Sequence, residues 1–410
     1  MIWSQDYDPL GLPWLSTIMA VLPLAVLLGT LAILRWRAPL AALAGLAVAL
    51  IVAIGIFGMP ARQAFSAAGF GAAYGLLPIG WIVLNIIFLY QLTLESGQFA
   101  VLRDSIAGIT GDSRLQLLLI AFCFGAFFEG AAGFGAPVAV TGAMLIGLGF
   151  PPLKAAGLSL IANTAPVAFG ALGTPLVTLA GVTELPLMEL SQVVGRIMTP
   201  FAVLVPIWLL MAYCGWRRTL EVLPAVLVVG VSFAITQLAI SNLHGPWLTA
   251  IGASLVSIAS LVLLLRFWKP KTQMDVAEGK PAAAGKARVD LPDRSALRRA
   301  WLPWLILVVI VFVWGLPQVK VLLDSIFRFQ WPFPGLDRLV QRMPPVVFRP
   351  EIERALLNVN LLSATGTAIL LSGLIAGPVL GLRLTQVVRT WGRSLVIVFP
   401  SLVTISAMLA

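Results

Sequence analysis

Residues 127–137 read Phe127-Phe128-Glu129-Gly130-Ala131-Ala132-Gly133-Phe134-Gly135-Ala136-Pro137, and the fold is decided in this stretch. Glu129 is the only charged residue between Leu115 and Phe150. A carboxylate inside an apolar segment of membrane length is costly, so it marks a functional site by default. The glycines and Pro137 interrupt any helix there. Irregular backbone at membrane depth is tolerated only where protein buries it or where it lines a cavity.

The composition indicates an all-α polytopic membrane protein. Of the 410 residues, 60% are hydrophobic and only 11% are charged, which leaves too much apolar surface for a soluble domain. The net charge of +10 does not indicate nucleic acid as a partner, because most basic residues lie between apolar segments. There they set the topology and contact the anionic head groups of the lipid bilayer.

Outside the region from Leu115 to Gly181, nine apolar segments approach the length of about 20 residues that a bilayer requires. They are Leu15–Leu34, Pro39–Phe57, Leu76–Leu94, Pro200–Tyr213, Val222–Ile240, Trp247–Leu265, Trp301–Trp314, Ala355–Leu380 and Leu395–Ala410.

The basic residues predict the orientation of these spans. Arg35 follows the first span, Arg114 the third, and Arg217 the span that ends near Tyr213. If all of them face the cytoplasm, the N-terminus lies outside. Residues 269–299 are rich in Lys, Ala, Gly and Pro, and are predicted to form a cytoplasmic linker. It divides an N-terminal membrane half, residues 1–268, from an incomplete second half, residues 300–410.

Two elements in the first half are predicted to be broken helices. Leu115–Phe128 gives only about 20 Å of helix, short of a hydrocarbon core of about 30 Å, and a second helix starts at Pro137. This pattern favours a re-entrant hairpin over residues 115–149, with two complete crossings as the alternative. The next element, residues 155–182, is predicted to be one span that breaks within Phe169–Pro175.

The two breaks have similar sequences, Gly135-Ala136-Pro137 and Gly173-Thr174-Pro175. Proline suits the first turn of a helix, and Thr174 is a candidate N-cap. Both restarting helices would direct free N–H groups at mid-membrane, where they favour an anion. The candidate binding residues are Gly133, Gly135, Ala136, Asn163, Thr164, Gly173 and Thr174.

These stretches resemble the bacterial L-lactate permease family, whose members carry lactate and glycolate inward with protons. The resemblance rests on the run from Phe127 to Pro137 and on Ile161–Pro175, IANTAPVAFGALGTP, and it extends along nearly the whole chain. It implies an inverted-repeat transporter in the bacterial inner membrane. Family members continue beyond the position of Ala410 with further spans and a second broken element. The resemblance therefore implies either that this sequence is a fragment of a longer carrier or that the protein lacks half of its site.

The residues and the resemblance together predict a secondary transporter for L-lactate, D-lactate and glycolate, with the proton as the coupling ion and no cofactor. Helix N-termini would hold the carboxylate, while Asn163, Thr164 and Thr174 would contact the hydroxyl. Glu129 would carry the proton, since burial favours the neutral form of a carboxyl group. Alternatively, Glu129 and Asn163 only satisfy backbone at the breaks.

Two other functions are weighed against proton symport. Sodium could replace the proton, bound by carbonyl groups of the unwound backbone. A membrane-embedded enzyme is the alternative of another class. It would need a nucleophile–base pair or a metal cluster, whereas this chain offers one histidine and two separated cysteines.

Overall fold

The computed structural model describes residues 2–131, 136–274 and 293–410, and helices account for most of them. The helices are α1 Pro13–Ala32, α2 Ala38–Gly55, α3 Ala61–Tyr74, α4 Trp81–Glu95, α5 Gln98–Ala107, α6 Ser113–Leu117, α7 Gly125–Ala131, α8 Ala136–Gly147, α9 Pro152–Asn163, α10 Gly170–Thr183, α11 Leu187–Leu220, α12 Leu223–Leu243, α13 Thr249–Phe267, α14 Arg294–Gly315, α15 Pro317–Ile326, α16 Thr365–Val379 and α17 Leu384–Leu409. The strands are β1 Trp3–Ser4, β2 Phe329–Pro332, β3 Val340–Arg342, β4 Glu351–Ile352 and β5 Leu356–Val359.

Among the described residues, nine helices are long and apolar enough to cross a membrane, or ten if one bent pair counts as a span. The predicted class, an all-α multi-pass membrane protein, is therefore confirmed.

Several helices are longer than their apolar cores suggested. Residues 61–95 run without interruption through a π-helical stretch, Gly75–Gly80, and α11 begins at Leu187 instead of near Pro200. Pro78 lies inside that π-helical stretch, and a proline lacks the N–H that a regular α-helical turn requires.

The predicted span Ala355–Leu380 is wrong at its start. Residues 356–359 form β5, which pairs antiparallel with β2, and helix α16 begins only at Thr365. The run Leu-Leu-Asn-Val is apolar enough to resemble the start of a span. It also suits a short strand, and apolar content alone does not separate the two.

A small sheet ties the N-terminus to the segment before α16. Strand β1 pairs in parallel with β3, and β3 pairs with β4. The first residues of the chain and residues 340–352 therefore lie on the same side of the membrane. The predicted topology places both outside.

The described residues divide into two compact units. The first comprises Met1–Leu84, Val321–Thr367 and Gly392–Ala410, and the second comprises Asn85–Lys320 and Ala368–Trp391. Each unit contains residues from both sides of the predicted linker at 269–299. Residues 275–292 of that linker lie outside the described part of the chain, and its last residues are helical because α14 starts at Arg294.

In the first unit, glycines let two helical elements approach closely. A Cβ on Gly71 would overlap the carbonyl group of Leu409, and one on Gly75 would lie 3.1 Å from Ser406 Cα. The spacing of Gly71 and Gly75 predicts close helix packing, and this is confirmed: α3 and the π-helical stretch that follows it pack on α17.

In the second unit, one buried arginine joins three connecting segments. Arg114 pairs with Asp112 at 2.8 Å and with Glu221 at 2.7 Å, and it donates to the carbonyl groups of Arg218 and Thr272. The side chains of Arg114 and Asp112 are each only 1% exposed. Arg114 was expected to lie in a loop at the lipid surface, but its side chain is buried and bonds to three segments of the chain. It confirms that the segments around 112, 220 and 272 share one face of the unit.

Glu221 is the exposed member of this network. The hydrogen bond from the Thr272 hydroxyl, followed by the bond from Arg114, holds the pKa of the Glu221 carboxyl below its ordinary value. A lowered carboxyl pKa stabilises the folded state above the ordinary pKa. That contribution is lost as the pH falls through the lowered value.

Candidate functional site

A helix buried on all sides carries Glu129. It runs from Ser113 through α6, a π-helical stretch over Leu118–Phe124, and α7 to Ala131, and nearly all of its residues are buried. A helix surrounded by protein is apolar around its whole circumference. This helix reaches about 28 Å, which is longer than predicted. The predicted re-entrant hairpin was based on a short first helix, and this helix is not short.

The second arm, α8, returns against the first. Gly125 on α7 faces Thr141 on α8, where an added Cβ would lie 3.4 Å from Thr141 Cγ2. Two candidate binding residues, Gly133 and Gly135, lie outside the described residues, and Ala136 is the first residue of α8. The re-entrant course of residues 115–149 stays a prediction.

The predicted break in the next element is a run of left-handed backbone. Ala171, Leu172 and Gly173 have φ angles of 42°, 56° and 74°. Only glycine adopts this region without strain, so two non-glycine residues there require support from the surrounding structure. A second irregularity precedes this run, since helices Pro152–Asn163 and Val167–Thr183 meet at an angle of 68° across the break at residues 164–166.

Glu129 lies directly against this break. A Cβ on Gly170 would overlap Glu129 Oε1 and would lie 3.1 Å from its Cδ. The side chain of Asn163, at the end of α9, interacts with the same carboxyl group. Glu129 is 5% exposed, and neither its Oε2 nor Asn163 Oδ1 has a hydrogen-bond partner within the described ranges.

The start of α13 closes the site from a third direction. A Cβ on Gly130 would lie 2.9 Å from both Ala250 Cβ and the backbone nitrogen of Ile251. A Cβ on Gly173 would lie 2.6 Å from Pro246 Cβ. The first N–H groups of a helix have no partner within it, so α13 brings further free donors next to the glycine that follows Glu129.

Sequence reasoning missed this part of the site. Gly170 lies within the run Ile161–Pro175, but the residues around it do not show that it contacts Glu129 on another helix. The turn at Gly245-Pro246 and the first turn of α13 read as an ordinary connection. The glycines Gly130 and Gly173 indicate close packing, but the sequence does not show which element packs on them.

Two candidate hydroxyl groups are already engaged by backbone. Thr164 is exposed and its hydroxyl donates to Ile161 O at 2.7 Å, so the structure does not bring it to Glu129. The hydroxyl of Thr174 donates to Ala171 O, inside the left-handed run. Thr174 was predicted to cap the restarting helix by accepting an N–H. Instead its hydroxyl stabilises the break, because the carbonyl group of Ala171 lacks its regular helical donor: Pro175, four residues later, has no N–H.

The site that results is a buried carboxyl group beside an amide, a strained break and the start of a helix. Such an arrangement can bind a small anion through N–H groups while a carboxyl group takes up or releases a proton. Of the candidates, Glu129, Asn163, Gly173 and Thr174 lie in this region.

Gly170→Ala is expected to displace the Glu129 carboxyl group without unfolding the protein. The backbone of Gly170 has φ −64° and ψ 158°, which alanine adopts freely, and the overlapping atoms belong to a side chain and not to backbone. Misplacing a reacting group by about 1 Å lowers a rate by up to ~100-fold. For a carrier of 2-hydroxy monocarboxylates, which the resemblance implies, we therefore expect uptake of labelled substrate to fall about ten- to a hundredfold. The thermal midpoint is measured alongside.

Gly157→Ala on α9 is the control, because a Cβ there meets nothing within 4 Å. Unchanged uptake in Gly170→Ala would show that the position of the carboxyl group is unimportant. A large fall in its thermal midpoint would show that Gly170 serves packing instead.

Comparisons with known proteins assign the chain to a family. A family model described as L-lactate permease matches residues 16–410. The L-lactate permease of Bacillus subtilis is 45% identical over 378 residues, which cover 90% of this chain and 66% of that protein. The L-lactate permease of Escherichia coli K12 is 42% identical and covers 96% of this chain and 73% of its own length. The glycolate permease GlcA of the same strain is 42% identical and covers 100% of this chain and 75% of its own length.

No solved structure gives a significant match. The chain spans between about two thirds and three quarters of these three relatives. The family model nonetheless covers almost the whole chain, and the residues of the candidate site lie within the matched range. The chain therefore belongs to the L-lactate permease family.

Proposed function

We propose that the protein is a secondary active transporter that takes up L-lactate and related 2-hydroxy monocarboxylates, D-lactate and glycolate, together with protons. One observation carries the proposal: the buried, partly unsatisfied carboxyl group of Glu129 lies against a break in a neighbouring helix. Membership of the family, with relatives named for lactate and glycolate, supports the substrate class.

The substrate carboxylate would bind the free N–H groups where helices start near Glu129. These are the restart of α10 after Gly173 and the first turn of α13. The substrate hydroxyl would donate to Asn163 Oδ1, which has no partner among the described residues. A site built to hydrogen-bond a hydroxyl rejects analogues that lack it, because its own polar group is then left unpaired.

Glu129 would bind the coupled proton. A buried carboxylate beside a second anion is strongly disfavoured, so substrate and proton would bind together. One anion with one proton makes transport electroneutral, and the pH gradient alone then drives uptake.

The chain would lie in the bacterial inner membrane with its N-terminus outside. The Arg114 network supports this orientation, since it gathers the segments around 112, 220 and 272 on one face. Basic residues that flank those segments are expected on the cytoplasmic side.

The proposal is tested with the purified protein in proteoliposomes that are alkaline inside and free of sodium. A gradient of one pH unit supplies about 1.4 kcal/mol per proton, so one-to-one symport gives about tenfold accumulation of labelled L-lactate. Because neutral lactic acid also crosses lipid, initial rates are compared with those of protein-free liposomes.

Uptake that requires sodium and ignores the pH gradient would overturn proton coupling. Sodium would then be the coupling ion, and carbonyl groups at the break would be its ligands. Equal competition by monocarboxylates with and without a 2-hydroxyl group would overturn the substrate assignment.

A further inference from the structure

Ser159 is a buried hydroxyl group that the proposed mechanism leaves unused. It lies on α9 and is 1% exposed, and its Oγ has no hydrogen-bond partner in the described part of the chain. The other buried hydroxyl groups nearby differ. Thr141 donates to Pro137 O at 2.8 Å and Ser254 donates to Ile251 O at 2.7 Å. A buried polar group without a protein partner in a native structure is usually satisfied by water.

Ser159 shares a helix face with Asn163. Residues four apart on a helix are neighbours, about 5–6 Å apart at Cβ. Asn163 in turn interacts with the Glu129 carboxyl group. Three buried oxygen atoms therefore follow one another, Glu129 Oε2, Asn163 Oδ1 and Ser159 Oγ, and none has a partner among the described residues.

A glycine faces Ser159 from the adjacent helix. Gly142 lies on α8, and a Cβ placed there would be 3.9 Å from Ser159 Oγ, with no other atom within 4 Å. There is thus room for an added methyl group beside the hydroxyl. A space next to an unpaired hydroxyl suits a small polar occupant.

The series of oxygen atoms has a direction. Ser159 lies nearer than Asn163 to the start of α9 at Pro152, and Phe150, just before it, packs on Tyr213 with ring centroids 5.2 Å apart. Tyr213 lies near the end of α11, next to the segment whose Arg218 carbonyl group binds Arg114. Moving from Glu129 past Ser159 thus leads toward the face with the Arg114 network, which is predicted to be cytoplasmic.

We propose that Ser159 is a proton-positioning residue. After the substrate has left, the Ser159 hydroxyl and Asn163 Oδ1, which the substrate hydroxyl had occupied, hold water through which the proton of Glu129 leaves toward the cytoplasm. The proton passes from the carboxyl group to the first water, and each water accepts one proton and donates another, so Ser159 and Asn163 end unchanged. This inference rests on the proposed proton coupling.

Few other charges can take part in this pathway. Among the described residues, the helices that pack against α9 carry two buried charged groups, Glu129 and Arg114, and Arg114 is already paired with Asp112. The charged residues on α9 and α11 are exposed. They are Lys154, Glu189, Arg196, Arg217 and Arg218.

The test compares net uptake driven by a pH gradient with counterflow, in which labelled substrate exchanges for unlabelled substrate and no net proton moves. Ser159→Ala removes the hydroxyl, and Gly142→Ala fills the space beside it. Each is expected to slow net uptake about tenfold and to leave counterflow within about twofold of wild type. The solvent deuterium isotope effect on net uptake should rise in both, because proton release becomes limiting.

Ser372→Ala is the matched control, since this serine is fully buried on α16 and donates to Ala368 O at 2.7 Å. The inference is overturned if Ser159→Ala and Gly142→Ala match Ser372→Ala in both assays. A loss of counterflow equal to the loss of net uptake also overturns it, because Ser159 would then contact substrate or support the fold. Wild-type uptake that ignores the pH gradient would be a different failure, that of the proposed function itself.

Discussion

Glu129→Gln is expected to abolish accumulation of L-lactate under a pH gradient while preserving part of the exchange between labelled and unlabelled substrate. Glutamine has nearly the same size and can hydrogen-bond Asn163, but it cannot bind and release a proton. Exchange needs only the loaded carrier to reorient, and the neutral amide mimics the protonated acid. Net uptake requires the empty carrier to return after the proton has left, and the variant lacks that step. The measurement is the ratio of accumulation to counterflow in proteoliposomes.

Glu189→Gln is the matched control, because Glu189 is exposed in the first turn of α11. It should retain both activities. Normal accumulation by Glu129→Gln would show that Glu129 only satisfies its surroundings. Loss of both activities together with a lower thermal midpoint would show that the amide does not fit the site.

Arg114→Ala is expected to reduce the free energy of unfolding by about 3–5 kcal/mol. The substitution leaves Asp112 buried without its cationic partner, and the carbonyl groups of Arg218 and Thr272 lose their donor. An unpaired buried charge retains the cost of its lost hydration, whereas an intact pair offsets it. Unfolding can be followed with a thiol-reactive dye in a Cys214→Ser background, because Cys123 is fully buried and reacts only when the helices open.

Arg103→Ala is the control for Arg114→Ala. The pair of Arg103 with Asp104 is exposed, at 46% and 44%, so its loss should change stability by no more than about 1 kcal/mol. The double variant Asp112→Asn with Arg114→Met removes both charges of the buried pair and should recover much of the loss. If Arg114→Ala is no less stable than Arg103→Ala, the Arg114 side chain does not hold the three segments together.

Glu129 and the break near Gly173 could be predicted from the sequence because each is a local exception. A single acid in a long apolar run is costly wherever it lies in the membrane. The combination of glycine and proline limits how a helix can continue. Neither inference needs to know which helices are neighbours.

The length of the helix that carries Glu129 was not predictable in the same way. Arg114 reads as a loop residue that ends an apolar segment. In the structure, Asp112 caps the helix and pairs with Arg114, so the helix starts at Ser113. A charge that is neutralised by a partner no longer marks the membrane surface, and sequence alone does not reveal the more distant partner, Glu221.

The contacts of Glu129 were equally hidden. Gly170, Pro246 and Ala250 meet this region only because three helices converge there. Two of the predicted hydroxyl contacts stay predictions, and each faces competition from a local hydrogen bond. The hydroxyl groups of Thr164 and Thr174 can satisfy themselves on nearby carbonyl groups, and this local bond competes with any ligand.

The most direct test of the central claim is an infrared difference spectrum of the carboxyl region, recorded as L-lactate is added to the reconstituted protein. If Glu129 is the group that binds the coupled proton, substrate binding should change a protonated-carboxyl band that shifts in deuterated water, and Glu129→Gln should lack this change. The same substrate-induced carboxyl band in Glu129→Gln as in the wild type would contradict the mechanism, because another group would then carry the proton.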